Sequence, residues 1–187
     1  MRLRALLLSC SFAASAETAA GLQWKAPSGW VSQAARPMRA ATYSVPAAAG
    51  DEEKPECAVY FFGAGQGGSV EANLARWQNQ FLTADGKPAK PTIRKRTIRG
   101  LPVTTIESAG RYTGAAGPAK EGKIVKSGYR LLGAIVEGPG GAVFIKFAAS
   151  AATIEANAAK FEELLSSFER EANMAGLLPQ SLVGAAL

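Results

Sequence analysis

The sequence predicts one α+β domain: an antiparallel β-sheet built from consecutive hairpins, with two main amphipathic helices packed on it. Three observations carry this reading. Alternating apolar strands meet at tight-turn signals, Arg99-Gly100 and Gly138-Pro139-Gly140-Gly141. Two segments repeat apolar residues at helical spacing: Val70, Leu74, Trp77 and Phe81, then Ile154, Ala158, Phe161, Leu165 and Phe168. The 187 residues supply one core comfortably and two poorly.

In chain order, Trp24–Ala26 and Trp30–Ala35 read as short strands around the turn Pro27-Ser28-Gly29. Arg39–Val45 alternates, with Ala41, Tyr43 and Val45 on one face. Pro46–Pro55 is a loop whose acidic residues Asp51, Glu52 and Glu53, with Glu56 beyond, read as solvated; they lack calcium-loop spacing. Cys57–Phe62 is nearly all apolar, as in a strand covered on both faces. Ser69 is an N-cap and Glu71 suits the first turn of a helix ending near Asp85-Gly86. Lys87–Pro91 is a linker. Thr92–Ile98 and Leu101–Thr113 form a hairpin, and Pro102 marks the start of the second strand as an edge or a bulge. Gly114–Ser127 is a Gly/Ala/Lys loop. Tyr129–Val136 and Ala142–Ala148 form a second hairpin, with Val143, Ile145 and Phe147 on one face and Phe144 and Lys146 on the other. The last helix starts near Ser150 or Thr153, and residues 171–187 read as a tail.

The N-terminus reads as an export signal. Arg2 and Arg4 precede the apolar run Ala5–Ala14, and Ala14-Ser15-Ala16 places small residues before a cleavage point ahead of Glu17. This divides the chain into a signal peptide (1–16), one domain (17–170) and the tail, and sends the mature protein to the periplasm or outside the cell. Leu7-Leu8-Ser9-Cys10 offers an alternative, a lipid anchor at Cys10, although only about five apolar residues precede it where about 7–15 are usual. No run of about 18 apolar residues suggests a transmembrane helix.

Composition narrows the function. Removing residues 1–16 takes two arginines and no acid, so the formal net charge falls from +6 to +4. That is mildly basic, not a nucleic-acid-binding balance. The chain has no histidine, so Ser-His-Asp and Cys-His sites are excluded and no typical zinc site is expected. Cys57, left single after cleavage, reads as a small buried hydrophobe, and Trp24, Trp30 and Trp77 as core. The expectation is a non-enzymatic binding or scaffold protein with no cofactor.

Two segments are candidate sites. Lys87, Lys90, Arg94, Arg96 and Arg99 concentrate positive charge, joined by Lys95 and, in sequence, by Lys120, Lys123 and Lys126. Such a patch suits an unknown protein partner or an anionic envelope component; the competing reading is a charged edge strand that blocks sheet-to-sheet aggregation. Gly63-Ala64-Gly65-Gln66-Gly67-Gly68 matches G-x-G-x-x-G between a strand and a helix. The chain beyond that helix continues as hairpins rather than βαβ, so a dinucleotide site is rejected. The alternative function is a small-molecule or anion-binding module that uses Gly65, Gly67, Gly68 and Ser69 at the helix N-terminus.

Several stretches together resemble the PsbP-like group, which includes the photosystem II extrinsic protein PsbP and the Ran-binding protein Mog. They are Ala26-Pro27-Ser28-Gly29-Trp30, then Gly68-Ser69-Val70-Glu71-Ala72-Asn73 leading to Trp77, then Gly128-Tyr129-Arg130-Leu131-Leu132-Gly133. The likeness is to secreted bacterial proteins of this type and spans about Leu22–Phe168. It implies an antiparallel sheet sandwiched by helices, α/β/α. It transfers no functional residue.

Overall fold

The computed structural model describes residues 16–114 and 125–172. The signal segment through Ser15, the Cys10 anchor, Lys120, Lys123 and the tail from residue 173 lie outside them.

The elements in order are β1 (Glu17–Ala19), β2 (Leu22–Trp24), β3 (Val31–Ser32), β4 (Arg39–Ser44), β5 (Glu56–Tyr60), α1 (Val70–Gln78), β6 (Phe81–Leu82), β7 (Thr92–Ile98), β8 (Leu101–Tyr112), β9 (Lys126–Gly138), β10 (Gly141–Ser150), α2 (Ala151–Ser167) and β11 (Glu169–Arg170). The main sheet runs β3-β4-β5-β10-β9-β8-β6, and β7 pairs with β8 beside β6. Every pairing is antiparallel. A small sheet, β1-β2-β11, ties the two ends of the domain together. The α+β reading therefore holds: two helices and a large antiparallel sheet.

Strand alternation sorts the core into two clusters. Val59, Val143, Ile145, Phe147, Leu132 and Val136 pack with Ile154, Phe161, Leu164 and Leu165 of α2 and with Leu22 and Trp24 of the small sheet. Phe144, Ile135, Leu131 and Ile106, from the alternate positions, pack with Leu74 and Trp77 of α1. Gly133 sets the approach of α1. A Cβ there would lie 2.9 Å from the Trp77 ring and 2.7 Å from Ile106.

Several expectations need correction. The first two strands form no hairpin with each other. The turn at Pro27-Ser28-Gly29 exists, with Trp30 N–H donating to Pro27 O at 3.1 Å. It carries the chain from the small sheet to the edge of the large one. The reason lies in the core: Trp24 stacks on Phe168 at 4.9 Å, while Trp30 packs edge-on against Phe147. Helix α1 stops at Gln78, seven residues before Asp85. Phe81 keeps helical spacing from Trp77 but is buried as a strand residue opposite Tyr112. Asp85-Gly86 turns a narrow loop closed by Thr83 N–H to Lys87 O at 2.8 Å. The linker after it buries Ala89, whose N–H donates to Phe81 O. At Pro102 the start of β8 is an edge as expected, paired there with Thr97 of β7 alone. The β9 ladder begins only at Val103, so the missing N–H costs no bond there.

In α2, Ala158 is exposed and Asn157 takes the buried position, donating to Pro46 O and accepting from the Trp30 indole. Phe168 is buried as the C-cap beyond the last turn. The domain also reaches past residue 170, because the Glu171 N–H still bonds Gly21 O at 2.9 Å. The Arg99-Gly100 turn, the Ser69 and Ser150 caps and the core placement of all three tryptophans are as expected.

The acidic loop is not simply solvated. Asp51 accepts from the Ser150 and Thr153 hydroxyls at 2.6 Å each, pinning the loop to the start of α2. These bonds hold its carboxyl below the usual range. Glu56 pairs with Arg36 and Arg39, and Glu53 with Lys126.

Gly133→Ala is expected to push Trp77 off the sheet and to cost about 1–3 kcal/mol, the usual penalty of overpacking a filled core. Urea unfolding checks this. A variant as stable as the parent would mean that α1 is free to move outward.

Candidate functional site

Coverage of the α1 side of the main sheet is incomplete for a geometric reason. Nine helical residues span about 14 Å. The thirteen residues of β9 span about 43 Å. Beyond Trp77 the sheet face is therefore left open, and two adjoining clefts occupy it. One, of about 220 Å³, is lined by Tyr60, Phe62, Arg76, Trp77, Gln80, Phe144 and Lys146. The other, of about 280 Å³, is more polar and includes Tyr112, Lys126, Tyr129, Glu53 and Arg39. Tyr60 and Lys146 line both.

Lys146 sits where its neighbours are small. In register it lies between Ala58 of β5 and Gly133 of β9, so the side chain rises from the sheet with room around it. Its ammonium donates to Gln80 Oε1 at 2.6 Å and to the Tyr112 hydroxyl at 3.2 Å, and lies 5.4 Å from the Tyr112 ring centre. Among the described residues it meets no carboxylate. Burial, with the Arg76 guanidinium nearby, lowers its pKa to about 8. Arg76 donates to Asn73 Oδ1 and likewise meets no carboxylate among the described residues.

Aromatic rings form the walls. Tyr60 and Phe62 stack at 6.0 Å, and Phe62 leans on Phe144 at 5.7 Å. On the polar side Tyr112 and Tyr129 stack at 5.7 Å. Lys126 bonds Glu53 at 2.7 Å and Tyr129 at 3.1 Å, and Tyr129 also donates to Glu53. This triad joins the acidic loop to the start of β9. Burial, then the bond to Glu53, raises the Tyr129 hydroxyl, and burial raises Tyr112.

The basic segment is placed elsewhere, at one edge of the sheet. All of β7 but Ile98 is exposed. Its arginines, and Arg99 in the turn after it, are paired: Arg94 with Glu107 at 3.0 Å, Arg96 with Glu162 at 2.8 Å and Arg99 with Glu169 at 2.6 Å. Lys87 pairs with Asp85. Lys90 and Lys95 are exposed along the same segment. The glycine loop lies beside the apolar cleft. Gly65, Gly67 and Gly68 all have positive φ, and Ser69 Oγ accepts from Ala72 N–H at 3.1 Å as the α1 cap. A Cβ on Gly67 would lie 2.7 Å from Phe62 and 2.9 Å from Phe144. Asn73 Nδ2 donates to Gly67 O and Ser69 O, fixing the loop on the helix. Cys57 is fully buried, and burial pushes its thiol well above the ordinary range.

Sequence reading misses Tyr60, Arg76, Gln80 and Tyr112 as members of one groove. It places Lys146 on the correct face without a role. The available signal is one lysine inside the apolar run Val143–Ala149.

No family model matches the chain, and no curated protein does. Among solved structures it is similar to a crystal structure of a protein of unknown function from Pseudomonas aeruginosa, at 11% identity and a TM-score of 0.47, covering 82% of this chain and 94% of that one. It is also similar to the solution structure of cyanobacterial PsbP from Synechocystis sp. PCC 6803, at 15% identity and a TM-score of 0.49, covering 88% and 98%. No helix among the described residues is long and apolar enough to cross a membrane.

Lys146→Met is expected to stabilise the protein at pH 7 by something on the order of 2 kcal/mol, since each unit of pKa is worth about 1.4 kcal/mol. The lysine falls from 10.5 to about 8 on folding, so between those values the unfolded chain holds the extra proton. The parent therefore gains stability as pH rises through that window, and the difference from the variant closes by pH 10.5. Urea unfolding at the two ends, near neutrality and at the upper value, checks this. A gap independent of pH would mean that the lysine is not strained by burial.

Proposed function

We propose that the chain is an exported, non-enzymatic binding protein of the bacterial envelope, PsbP-like in type, and that it holds an anionic group of its ligand at Lys146 on the open sheet face. One observation carries this. A half-buried ammonium with no carboxylate partner among the described residues, with the exposed Arg76 guanidinium lining the same cleft, costs stability unless something anionic occupies the groove. Polar groups converging in a ring-lined cleft are the usual form of a small-ligand site.

The non-enzymatic reading rests on side chains. Histidine is absent, and the Cys57 thiol is buried and held protonated. Export is supported by the Arg2–Ala16 pattern. The PsbP-like assignment is supported by its motif residues occupying structural positions: Trp30 in the core, Ser69 capping α1 and Gly133 under Trp77. The β7 edge is the weaker contact surface because its arginines already have partners.

Two measurements test the proposal. Intact mass after expression in a bacterial host should show a periplasmic product beginning at Glu17; an unprocessed cytosolic chain would remove export. Acetate and inorganic phosphate, titrated at neutral pH and followed by amide chemical shifts, should move the Gly133 and Lys146 signals in a saturable way. Lys146→Gln should abolish that response. An undiminished response in the variant would place the anion elsewhere, and no response to either anion in the parent would remove the groove.

A further inference from the structure

Resting on the anion reading of the groove, we infer that the ligand is a small aromatic carboxylate, its ring against Phe62, Phe144 and Trp77 and its carboxylate between Lys146 and Tyr112.

The donor arithmetic favours a carboxylate. An ammonium has three N–H donors, and Lys146 spends two of them on Gln80 and Tyr112. One remains. The Tyr112 oxygen accepts from Lys146, so its own O–H proton is also left to donate. Two donors 3.2 Å apart at their heavy atoms can each serve one oxygen of a planar carboxylate. Arg76, at the same cleft, adds charge without a competing acid among the described residues.

The rest of the cleft favours a ring. Its walls are Tyr60, Phe62, Trp77 and Phe144, and the Tyr60–Phe62 stack offers an aromatic face next to the cation. Size sets the limit. An apolar cavity of about 150 Å³ holds benzene. A cleft of about 220 Å³ therefore takes one ring, and the carboxylate on it reaches Tyr112 at the border with the adjoining cleft. The second cleft, beyond Lys146, is the more polar of the two, lined by Lys126, Glu53, Arg39 and tyrosines with only Pro55, Ala58 and Ala148 as aliphatic neighbours.

Calorimetric titration of the full mature chain at neutral pH tests this, with benzoate, acetate, hexanoate and phenyl phosphate as probes. Benzoate should bind at least about tenfold more tightly than acetate or hexanoate. Phe62→Ala should remove most of that advantage while leaving acetate binding unchanged. Arg76→Gln, at an exposed position that should not disturb folding, should weaken benzoate and acetate alike. Equal binding of acetate and benzoate would overturn the aromatic assignment and leave the anion groove standing. Hexanoate matching benzoate would replace the ring with an alkyl chain. Tighter binding of phenyl phosphate than of benzoate would overturn the carboxylate. No binding of any probe would remove the groove itself.

Discussion

Nine residues of helix laid over thirteen residues of strand leave sheet uncovered, and the rest of the molecule is arranged around that mismatch. The opposite face has no such shortage. There the seventeen residues of α2 and the three-stranded sheet together bury Trp24, Phe147, Phe161 and Phe168 almost completely. That face supplies the apolar burial that holds the domain together. The α1 face is less fully covered, with Phe81 and Ala89 packing beside Trp77, and its open part can carry polar groups because stability has been secured elsewhere.

Many charged side chains among the described residues are paired. Glu53, Glu56, Asp51, Glu163 and Glu169 each find hydroxyl, amide or cationic partners. Arg94 and Arg96 of β7 and Arg99 in the turn after it do the same across the edge of the sheet. Lys146, half-buried, does not, and the exposed Arg76 lines the same cleft. An exposed cation without a partner means little, because water solvates it. A half-buried one is different, since burial opposes its charge and moves its proton affinity towards neutrality. The groove is the one place among the described residues where the fold tolerates that cost.

Periodicity makes the fold class, the two later hairpins and both helix starts legible, because each rests on local chemistry: Arg99 and Gly100 at positive φ, Ser69 and Ser150 as caps. It fails where a tertiary partner decides. Phe81 has helical spacing from Trp77, yet pairing with Tyr112 draws it into a strand. Trp24 and Trp30 flank a turn, yet Trp24 ends a strand of the small sheet and Trp30 leads into β3 of the large one. The groove is harder still. Its members come from β5, α1, β8 and β10, and no sequence window contains two of those strands. Charge density along the chain points instead to β7, where the density is real but already spent on glutamates.

The glycine-rich loop shows how a local motif can be absorbed into a distant purpose. Its spacing resembles a phosphate cradle, and its positive φ values are those a cradle would use. In the fold, Gly67 is needed because Phe62 and Phe144 press against its backbone, leaving no room for a Cβ. Asn73 fastens the same loop to α1 by bonding Gly67 O and Ser69 O. The loop thereby holds Phe62 against Phe144 and, through the Tyr60–Phe62 stack, sets Tyr60 beside Lys146. Its glycines shape the aromatic wall of the groove. The charge that wall faces comes from β10, far later in the chain.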